Sequence, residues 1–395
     1  MERNAPEMAR RKSVTEEFSA EVSSPLYKIS ESHAIINVPM DALKALFTSY
    51  FGYEPLSVEL LPQSGSNRKY YRMCGKSCAV NGAAVEVAGN GGAVSCIGVI
   101  GTDDRENRTF CELSDCLDSV GVNVPRVIAH SVGYERYLQE DLGCVDLNSI
   151  LKNDRETGVF TEDHRELLLT VVRCLPKIQF AGGRVWDFSK CYPSRCMNAR
   201  KIMFDLNYFK YCFLKPMGVE FNEELLQDEF EKLCADILSD PSENIFLYRD
   251  FQSRNVMVKD GKPYFIDFQS GMRGPFYYDL ASFVFQFADR YPAGLREELV
   301  SGYYSALLDY FTIDYGTFRK RLNLYVLLRH LQVLGCYGFR GLIEGKQIFI
   351  DCIPDGFKGI KEILSSGIEG YDYICECLRM LYDKGIAKFR IGASV

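Results

Sequence analysis

Apolar and polar positions change their spacing along the chain, and the changes divide the sequence into three stretches. Residues 1–36 are polar with little periodicity. Directly after Pro39 apolar residues recur at helical spacing, which predicts a short helix. Strands are predicted next, at 57–61, 69–73, 83–87, 94–100, 127–130 and 135–140, with turn-forming residues at 63–66 and 89–92. One helix, over 106–120 and ended by Gly121, interrupts these strands.

Helical periodicity dominates after the sequence Asp141-Leu142-Gly143, with helices predicted over 222–239, 294–311, 315–335 and 357–384. In the first of these, Asn222 is the expected N-cap. Five apolar side chains of that helix are expected to face the core: Leu225, Leu226, Phe230, Leu233 and Ile237. The pattern therefore predicts an α+β chain: a polar tail over 1–36, a small β-rich N-lobe over 37–140 and a large helical C-lobe over 141–395, with a cleft between the lobes.

Composition and charge exclude several classes of protein. The chain has 395 residues, is 47% hydrophobic and carries a net charge of −7, which argues against a general nucleic-acid binder. No run of 18 apolar residues exists, so we expect no membrane span. Fifteen scattered cysteines favour free thiols in the cytoplasm over a disulfide framework. Neither the cysteines nor the four histidines have the spacing of a zinc site, and the oligomeric state stays open.

A β-hairpin is predicted within the segment 245–281. The dipeptide Asp260-Gly261 separates two short β runs, which is a strong signal for a two-residue turn. Such a turn pairs Lys259 with Lys262 and brings Asn255 opposite Ile266. Asn255 and the residue that follows Ile266, Asp267, therefore meet at the open end of the hairpin.

Oxygen-bearing side chains converge at that end. Asn255 and Asp267 lie there together, and Asp250 enters from the preceding loop, five residues before Asn255. Mg²⁺ prefers oxygen ligands and retains waters and substrate phosphates in its shell. The spacing D-x-x-x-x-N, followed by a strand and an aspartate, is typical of kinases. On this interpretation Asp250 accepts the proton of the attacking hydroxyl, and Asn255 and Asp267 hold the metal; the alternative is a polar hairpin with surface Asp and Asn.

The same segment resembles the aminoglycoside phosphotransferase and choline kinase superfamily, a branch of the protein-kinase-like fold. Its amino-acid sequence, YRDFQSRN followed by IDFQSGMRGPFYYDLAS, is similar to that of bacterial anomeric N-acetylmuramate and N-acetylglucosamine kinases. Residues at 66–72, 121–125 and 139–143 are also similar to the sequences of these kinases, and those at 331–335 are similar to a lesser degree. The resemblance implies a bilobed kinase-like fold, ATP and Mg²⁺ as cofactors, and transfer of phosphate to an amino-sugar hydroxyl.

Candidate nucleotide-binding residues follow from this resemblance. The stretch 139–142 resembles the linker between lobes that receives adenine, which makes Glu140 and Leu142 candidates. Ser66 lies in a thin glycine-rich loop with a single glycine. The third strand carries no lysine for the phosphates, so Arg68 or Arg72 is expected to supply the charge. The missing lysine leaves one alternative open: the protein is a pseudokinase that binds a nucleotide and has lost kinase activity.

The acceptor is expected to be a small molecule. No A-P-E motif occurs in the twelve residues from Asp267 to Asp279, whereas protein kinases carry a long activation segment there. Candidate acceptor contacts flank the catalytic aspartate: Arg249, Gln252, Arg254, Gln269 and Arg273. The stretch 185–215 is either a cover for the acceptor or an ordinary helix pair. Choline or an aminoglycoside is the alternative acceptor, and a cluster of acids near 185–205 would favour it.

The resemblance also assigns Asp279 a structural role as the aspartate that braces the catalytic loop. The alternative is an N-cap for a helix over 280–288. Arg249 has three candidate roles: it screens the crowded acids, reaches an anion on the substrate, or forms a buried salt bridge with Asp279.

Overall fold

A computed structural model describes residues 38–62, 68–76 and 93–389 of the chain. It divides into two units, Met1–Ala42 and Leu43–Val395, and every feature discussed below, apart from the first residues of helix α1 (Val38–Phe51), lies in the second. The expected polar tail, the strand at 83–87 and the turns at 63–66 and 89–92 lie outside the described residues. No helix among the described residues is long and apolar enough to cross a membrane.

An antiparallel sheet of five strands fills the first part of this unit. Its strands stand in the order β1-β2-β3-β5-β4. Their bounds are β1 Ser57–Leu60, β2 Lys69–Lys76, β3 Ala93–Ile100, β4 Val127–His130 and β5 Arg136–Glu140. Helix α1 (Val38–Phe51) precedes the sheet, and α2 (Asp104–Ser119) connects β3 with β4. Phe110 of α2 stacks on Tyr137 of β5 with ring centroids 5.2 Å apart, which fixes α2 against the sheet.

The rest of the chain is mainly helical, as its periodicity predicts. The helices are α3 Leu147–Ile150, α4 Lys152–Thr157, α5 Glu162–Pro176, α6 Gly183–Val185, α7 Ala199–Phe209, α8 Glu223–Leu238, α9 Tyr277–Val284, α10 Ala293–Leu307, α11 Tyr315–Tyr337, α12 Gln347–Ser366 and α13 Asp372–Phe389. Four short strands lie among them: β6 Phe246–Leu247, β7 Val256–Lys259, β8 Lys262–Phe265 and β9 Met272–Arg273. One hydrophobic core runs through both parts of the unit.

Two of the helix predictions need comment. Helix α8 is capped as expected, because the Asn222 side chain accepts the N–H of Glu224 at 2.9 Å. The expectation that Leu225 faces the core is wrong: this first-turn side chain is 48% exposed. The helical periodicity over 357–384 is divided between two helices, α12 and α13. Gly367 and Gly370, both with positive φ, end α12 and separate it from α13.

The hairpin geometry is confirmed. Strands β7 and β8 are antiparallel, and Lys259 is paired with Lys262 across the two-residue turn. Asp260 and Gly261 have φ of 52° and 71°, the combination that a type I′ turn requires. At the other end, the N–H of Ile266 donates to the carbonyl of Asn255 at 3.0 Å. Turn chemistry therefore sets which side chains meet at the open end.

Candidate active site

The loop that carries Asp250 is anchored from below by a buried carboxylate. Asp279, fully buried in the first turn of α9, accepts the backbone N–H of Tyr248 at 2.9 Å and that of Arg249 at 2.8 Å. A third bond comes from the Gln179 amide at 3.1 Å. Burial raises the pKa of Asp279 to about 6, and the three donated hydrogen bonds oppose that rise. The carboxylate thus holds the residues just before Asp250 in place.

Two alternatives for Asp279 are therefore wrong. Helix α9 begins at Tyr277, so Asp279 lies inside its first turn and does not cap a helix over 280–288. Its contact with Arg249 is to the backbone N–H and not to the guanidinium. Arg249 itself adopts φ of 77°, an unfavourable conformation for a non-glycine residue that the Asp279 bond helps to hold.

The three oxygen-bearing residues come together as the hairpin geometry requires. The Asn255 amide nitrogen donates to the carbonyl of Asp250 at 2.7 Å and lies 3.4 Å from an Asp267 carboxylate oxygen. Asp267 has φ of 66°, so it too sits in a sparsely populated backbone conformation. Among the described residues no cluster of three His, Cys, Asp or Glu side chains is arranged for a metal. An oxygen site here therefore consists of one carboxylate and one amide, completed by other ligands.

Asp250 lies in an environment that favours its protonated form. Burial raises the pKa of its carboxyl, and the charge of Asp267 adds to the rise, while Arg249 opposes it. A carboxylate with a raised pKa is a better proton acceptor than one exposed to water.

An unexpected glutamate connects the sheet with this cluster. Arg68, only 3% exposed, pairs with Glu106 of α2 across 3.0 Å. The Gln269 amide donates to Asp267 at 2.8 Å and to the same Glu106 at 3.3 Å. Phe268 stacks on Phe110 of α2 at 4.9 Å, which fixes the helix above the open end of the hairpin.

The glutamate was not identified from the sequence, although a signal was present. In protein kinases the lysine that holds the phosphates pairs with a glutamate on the helix that follows its strand. Glu106 lies in the first turn of the helix that follows β3. A search for a partner to the expected cation would have found it. Gln269, predicted as an acceptor contact, has its amide nitrogen engaged with Asp267 and Glu106.

The predicted nucleotide residues fall into separate groups. Arg72 makes two hydrogen bonds to Asp141, at 2.7 and 3.1 Å, so its guanidinium ties the sheet to the linker. Glu140 pairs with Lys259 at 2.7 Å, which joins the end of β5 to the hairpin. Leu142 is buried beside this connection. Ser66 lies outside the described residues.

The remaining predicted acceptor contacts do not converge. Arg254 and Arg273 are exposed, and the Gln252 side chain is buried. Arg249 alone of the predicted set lines a cavity next to the catalytic loop. The other lining residues come from α7 and the segment before it, from β6, β9 and α9: Met197, Lys201, Asp205, Leu247, Met272 and Tyr278. Asp205 belongs to the stretch 185–215, so part of that stretch does reach the cavity.

Behind the cavity a polar network holds its wall. The Gln332 amide donates to Asp205 at 2.9 Å, and the Tyr278 hydroxyl donates to the Gln332 carbonyl oxygen at 2.8 Å. Arg329 donates to the same hydroxyl at 2.8 Å. Burial raises the pKa of Asp205, and the nearby Arg249 and Arg329 oppose the rise.

Comparisons with known proteins agree with this geometry. Residues 214–315, which contain the catalytic loop and hairpin, match the model of the phosphotransferase enzyme family. Over this segment the chain is similar to the members of that family. It is 23% identical over 326 residues to an N-acetylmuramate/N-acetylglucosamine kinase of Pseudomonas aeruginosa, covering 80% of this chain and 87% of the relative. It is also 29% identical over 171 residues to a kinase of the same name from Neisseria meningitidis serogroup B, covering 41% and 46%.

Solved structures show the fold. A choline kinase from Cryptosporidium parvum superposes with a TM-score of 0.50 at 15% identity, covering 82% of this chain and 93% of that one. A choline/ethanolamine kinase family protein from Mesorhizobium loti gives 0.52 at 12% identity, covering 87% and 99%. The phosphotransferase therefore has the expected α+β, kinase-like fold, with a β-rich first part and a larger helical part. The resemblance and the enzyme class inferred from the sequence are confirmed.

Proposed function

We propose that this phosphotransferase transfers the γ-phosphoryl group of ATP, with Mg²⁺, to the anomeric hydroxyl of N-acetylmuramate or N-acetylglucosamine. The observation that carries the proposal is the position of Asp250: it lies on a loop held by Asp279, next to the Asn255–Asp267 pair and to a cavity. The acceptor follows from the curated relatives, whose names state these two sugars. Residues 37–140 are the proposed N-lobe and 141–395 the C-lobe.

Asp250 is the proposed proton acceptor. Phosphoryl transfer depends mainly on positioning and on charge stabilisation, and the aspartate orients the hydroxyl and takes its proton. The raised pKa of Asp250 supports that role. An anomeric hydroxyl is more acidic than other sugar hydroxyls, so a single carboxylate suffices.

The residues present fit a magnesium ion. Asp267 offers a carboxylate, and the Asn255 amide, whose nitrogen lies 3.4 Å from that carboxylate, presents its oxygen to an ion when the amide group is turned over. Asn255 and Asp267 would hold the ion, and when bound it would neutralise phosphate charge. Gln269 keeps the carboxylate of Asp267 oriented through its 2.8 Å bond.

Arg68 is the proposed substitute for the missing lysine. Its pairing with Glu106 reproduces the cation–glutamate pair that kinases use to hold phosphates, although the cation comes from the start of a different strand. This pair argues against the pseudokinase alternative, because the cation that β3 lacks is present in the same part of the fold. The linker at 139–142 remains the proposed site for adenine.

A cationic acceptor fits the cavity poorly. Lys201 and Arg249 both line it, whereas Asp205 is its one lining acid in the described part of the chain. Choline or an aminoglycoside would bring positive charge next to two cations, which disfavours binding. The cluster of acids that would have favoured such acceptors is not found among the described residues of the cavity.

The acceptor screen is the decisive experiment. ATP consumption should be measured with N-acetylmuramate, N-acetylglucosamine, choline and kanamycin, and the product position determined by NMR. We expect turnover with at least one of the sugars and phosphate at C1. Phosphate at C6, or turnover with cationic acceptors alone, would overturn the sugar assignment and leave the enzyme class intact.

Asp250→Asn tests the catalytic role in the same assay. Removal of a general base lowers turnover by about 10²–10⁴-fold, and we expect this loss with ATP binding retained. Asp260→Asn is the matched control, because Asp260 lies at the exposed tip of the same hairpin and Asn tolerates its positive φ. Near-normal turnover in Asp250→Asn would show that another group accepts the proton.

We propose that the reaction takes place in the cytoplasm, where ATP is available. The fourteen cysteines that the structure describes are all free thiols, which suits a reducing compartment.

A further inference from the structure

Two cations that line the cavity, Lys201 and Arg249, make no direct ion pair among the described residues, although the charges of Asp205 and Asp250 act on them. Neither Lys201 nor Arg249 has a carboxylate oxygen within 4.0 Å of its charged nitrogens in the described part of the chain. Most other buried or half-buried cations near the site are engaged: Arg68 pairs with Glu106, and Arg329 donates to Tyr278. The two lining cations therefore differ from their neighbours in having no bonded counter-charge.

Burial makes this arrangement costly unless a ligand supplies the charge. Lys201 is half-buried, and its pKa is lowered by burial and by the adjacent charge of Arg249, while Asp205 and Asp250 oppose the fall. An ammonium taken out of water without a hydrogen-bonded anion loses free energy. Asp205, the nearest acid on the same helix, is engaged by Gln332 and does not pair with Lys201.

The position of these cations relates them to the acceptor. Arg249 directly precedes Asp250 in the chain, and the charge of Asp250 acts on Lys201. A ligand whose hydroxyl meets Asp250 therefore comes close to both cations. Met197, Leu247 and Met272 line the same small cavity.

We infer that Lys201 and Arg249 recognise a carboxylate on the acceptor, so that the enzyme prefers an acidic amino sugar over a neutral one. This inference rests on the proposed function and specifies its substrate class. N-acetylmuramate carries a carboxylate on its lactyl ether, and N-acetylglucosamine has no such group. The two proposed acceptors thus differ in the one group that the cations would bind.

The test compares the two sugars in Lys201→Met, which removes the charge and keeps an apolar stem of similar length. One charge-assisted hydrogen bond corresponds to about 10–100-fold in affinity, so we expect kcat/KM for N-acetylmuramate to fall by that factor. The value for N-acetylglucosamine, or its inhibition constant if it is not turned over, should change by less than about threefold, since a neutral group loses no charge-assisted bond. Wild-type enzyme should prefer N-acetylmuramate.

Controls separate recognition from folding. Lys201→Arg should retain the preference, because a guanidinium also binds carboxylate. Lys361→Met, at an exposed position of α12, should leave both sugars unaffected. Equal losses for both sugars in Lys201→Met, or an unchanged preference, would overturn the inference while the proposed function stands. If wild-type enzyme phosphorylates neither sugar, the proposed function fails and the inference with it.

Discussion

Arg68 illustrates how a residue role can move within a fold. The lysine that kinases carry on the third strand is missing from β3, yet a buried cation pairs with the glutamate of the following helix. Arg68 reaches that glutamate from the residue directly before β2. The role proposed for Arg68 thus rests on its pairing with Glu106 across space and not on a position in a strand pattern.

Replacement of Arg68 tests whether this residue binds the phosphates of ATP. Arg68→Met should raise the Michaelis constant for ATP by about 10-fold or more, the scale of a lost charge-assisted contact, and change that for the acceptor much less. Steady-state kinetics with each substrate varied in turn measures both. Arg68→Lys should recover part of the affinity, and Lys69→Met, at the exposed next residue, is the control. An equal rise for ATP and acceptor would contradict a role in phosphate binding.

Helix α11 and the segment that continues it pack closely against α7 and the segment that follows α7. Gly338 follows α11 directly, and a Cβ built there would lie 2.1 Å from the carbonyl oxygen of Cys212. Such a distance requires the two backbones to move apart, since no flexible side chain can give way. These helical segments carry residues of the cavity wall, including Asp205 and Gln332.

Gly338→Ala should therefore destabilise the protein even though alanine is the better helix former. We expect the free energy of unfolding to fall by about 1–3 kcal/mol, the usual cost of overpacking, measured by chemical denaturation. The matched control is Gly294→Ala in α10, where a Cβ would meet nothing within 4 Å. That change should leave stability the same or raise it by up to about 1 kcal/mol. Equal effects at both positions would show that helix propensity alone decides.

Stability of the whole molecule depends on how its buried ionisable groups titrate. Burial lowers the pKa of His330 to about 3, and its ring stacks on Phe287 at 4.3 Å while Nε2 contacts the carbonyl of Phe285 at 3.1 Å. In the unfolded chain this imidazole binds a proton with its ordinary pKa of about 6.5. Acid therefore favours the unfolded state through His330. Burial raises the pKa values of Asp279 and Asp289 to about 6, so these two carboxyls act in the opposite direction below that pH.

A variant isolates the histidine from these opposing groups. The contribution of His330 is complete above about pH 6.5 and is lost at about 1.4 kcal/mol per pH unit below it, towards its folded value. His330→Gln keeps a donor for the Phe285 carbonyl and cannot titrate. Between pH 7 and pH 5 the wild-type protein should lose more stability than the variant, by about 2 kcal/mol. Parallel stability curves for the two proteins would show that His330 is protonated to the same extent in both states.

Local chemistry of the chain is enough to predict a substantial part of this molecule. The Asp260-Gly261 turn fixes the register of β7 and β8, and register brings Asn255 to Asp267. The position of Asp250 beside this pair is predictable as well, because only a short loop separates Asp250 from the hairpin. Caps and periodicity predict α2, α8 and α11 for the same reason: hydrogen bonds and side-chain spacing within a few residues decide them.

Packing between distant elements decides the rest, because partners far apart in sequence leave no local pattern. Glu106 and Gln269 are 163 residues apart and meet only since α2 lies over the end of the hairpin. The cavity takes Lys201 from α7 and Arg249 from the catalytic loop, so its positive charge is not visible in either segment. Arg72 bonds to Asp141 for the same reason: the two are 69 residues apart in the chain, and the fold places them side by side. Spacing along the chain thus places the proposed base, Asp250, beside the proposed metal ligands, and only tertiary contact reveals which cations surround them.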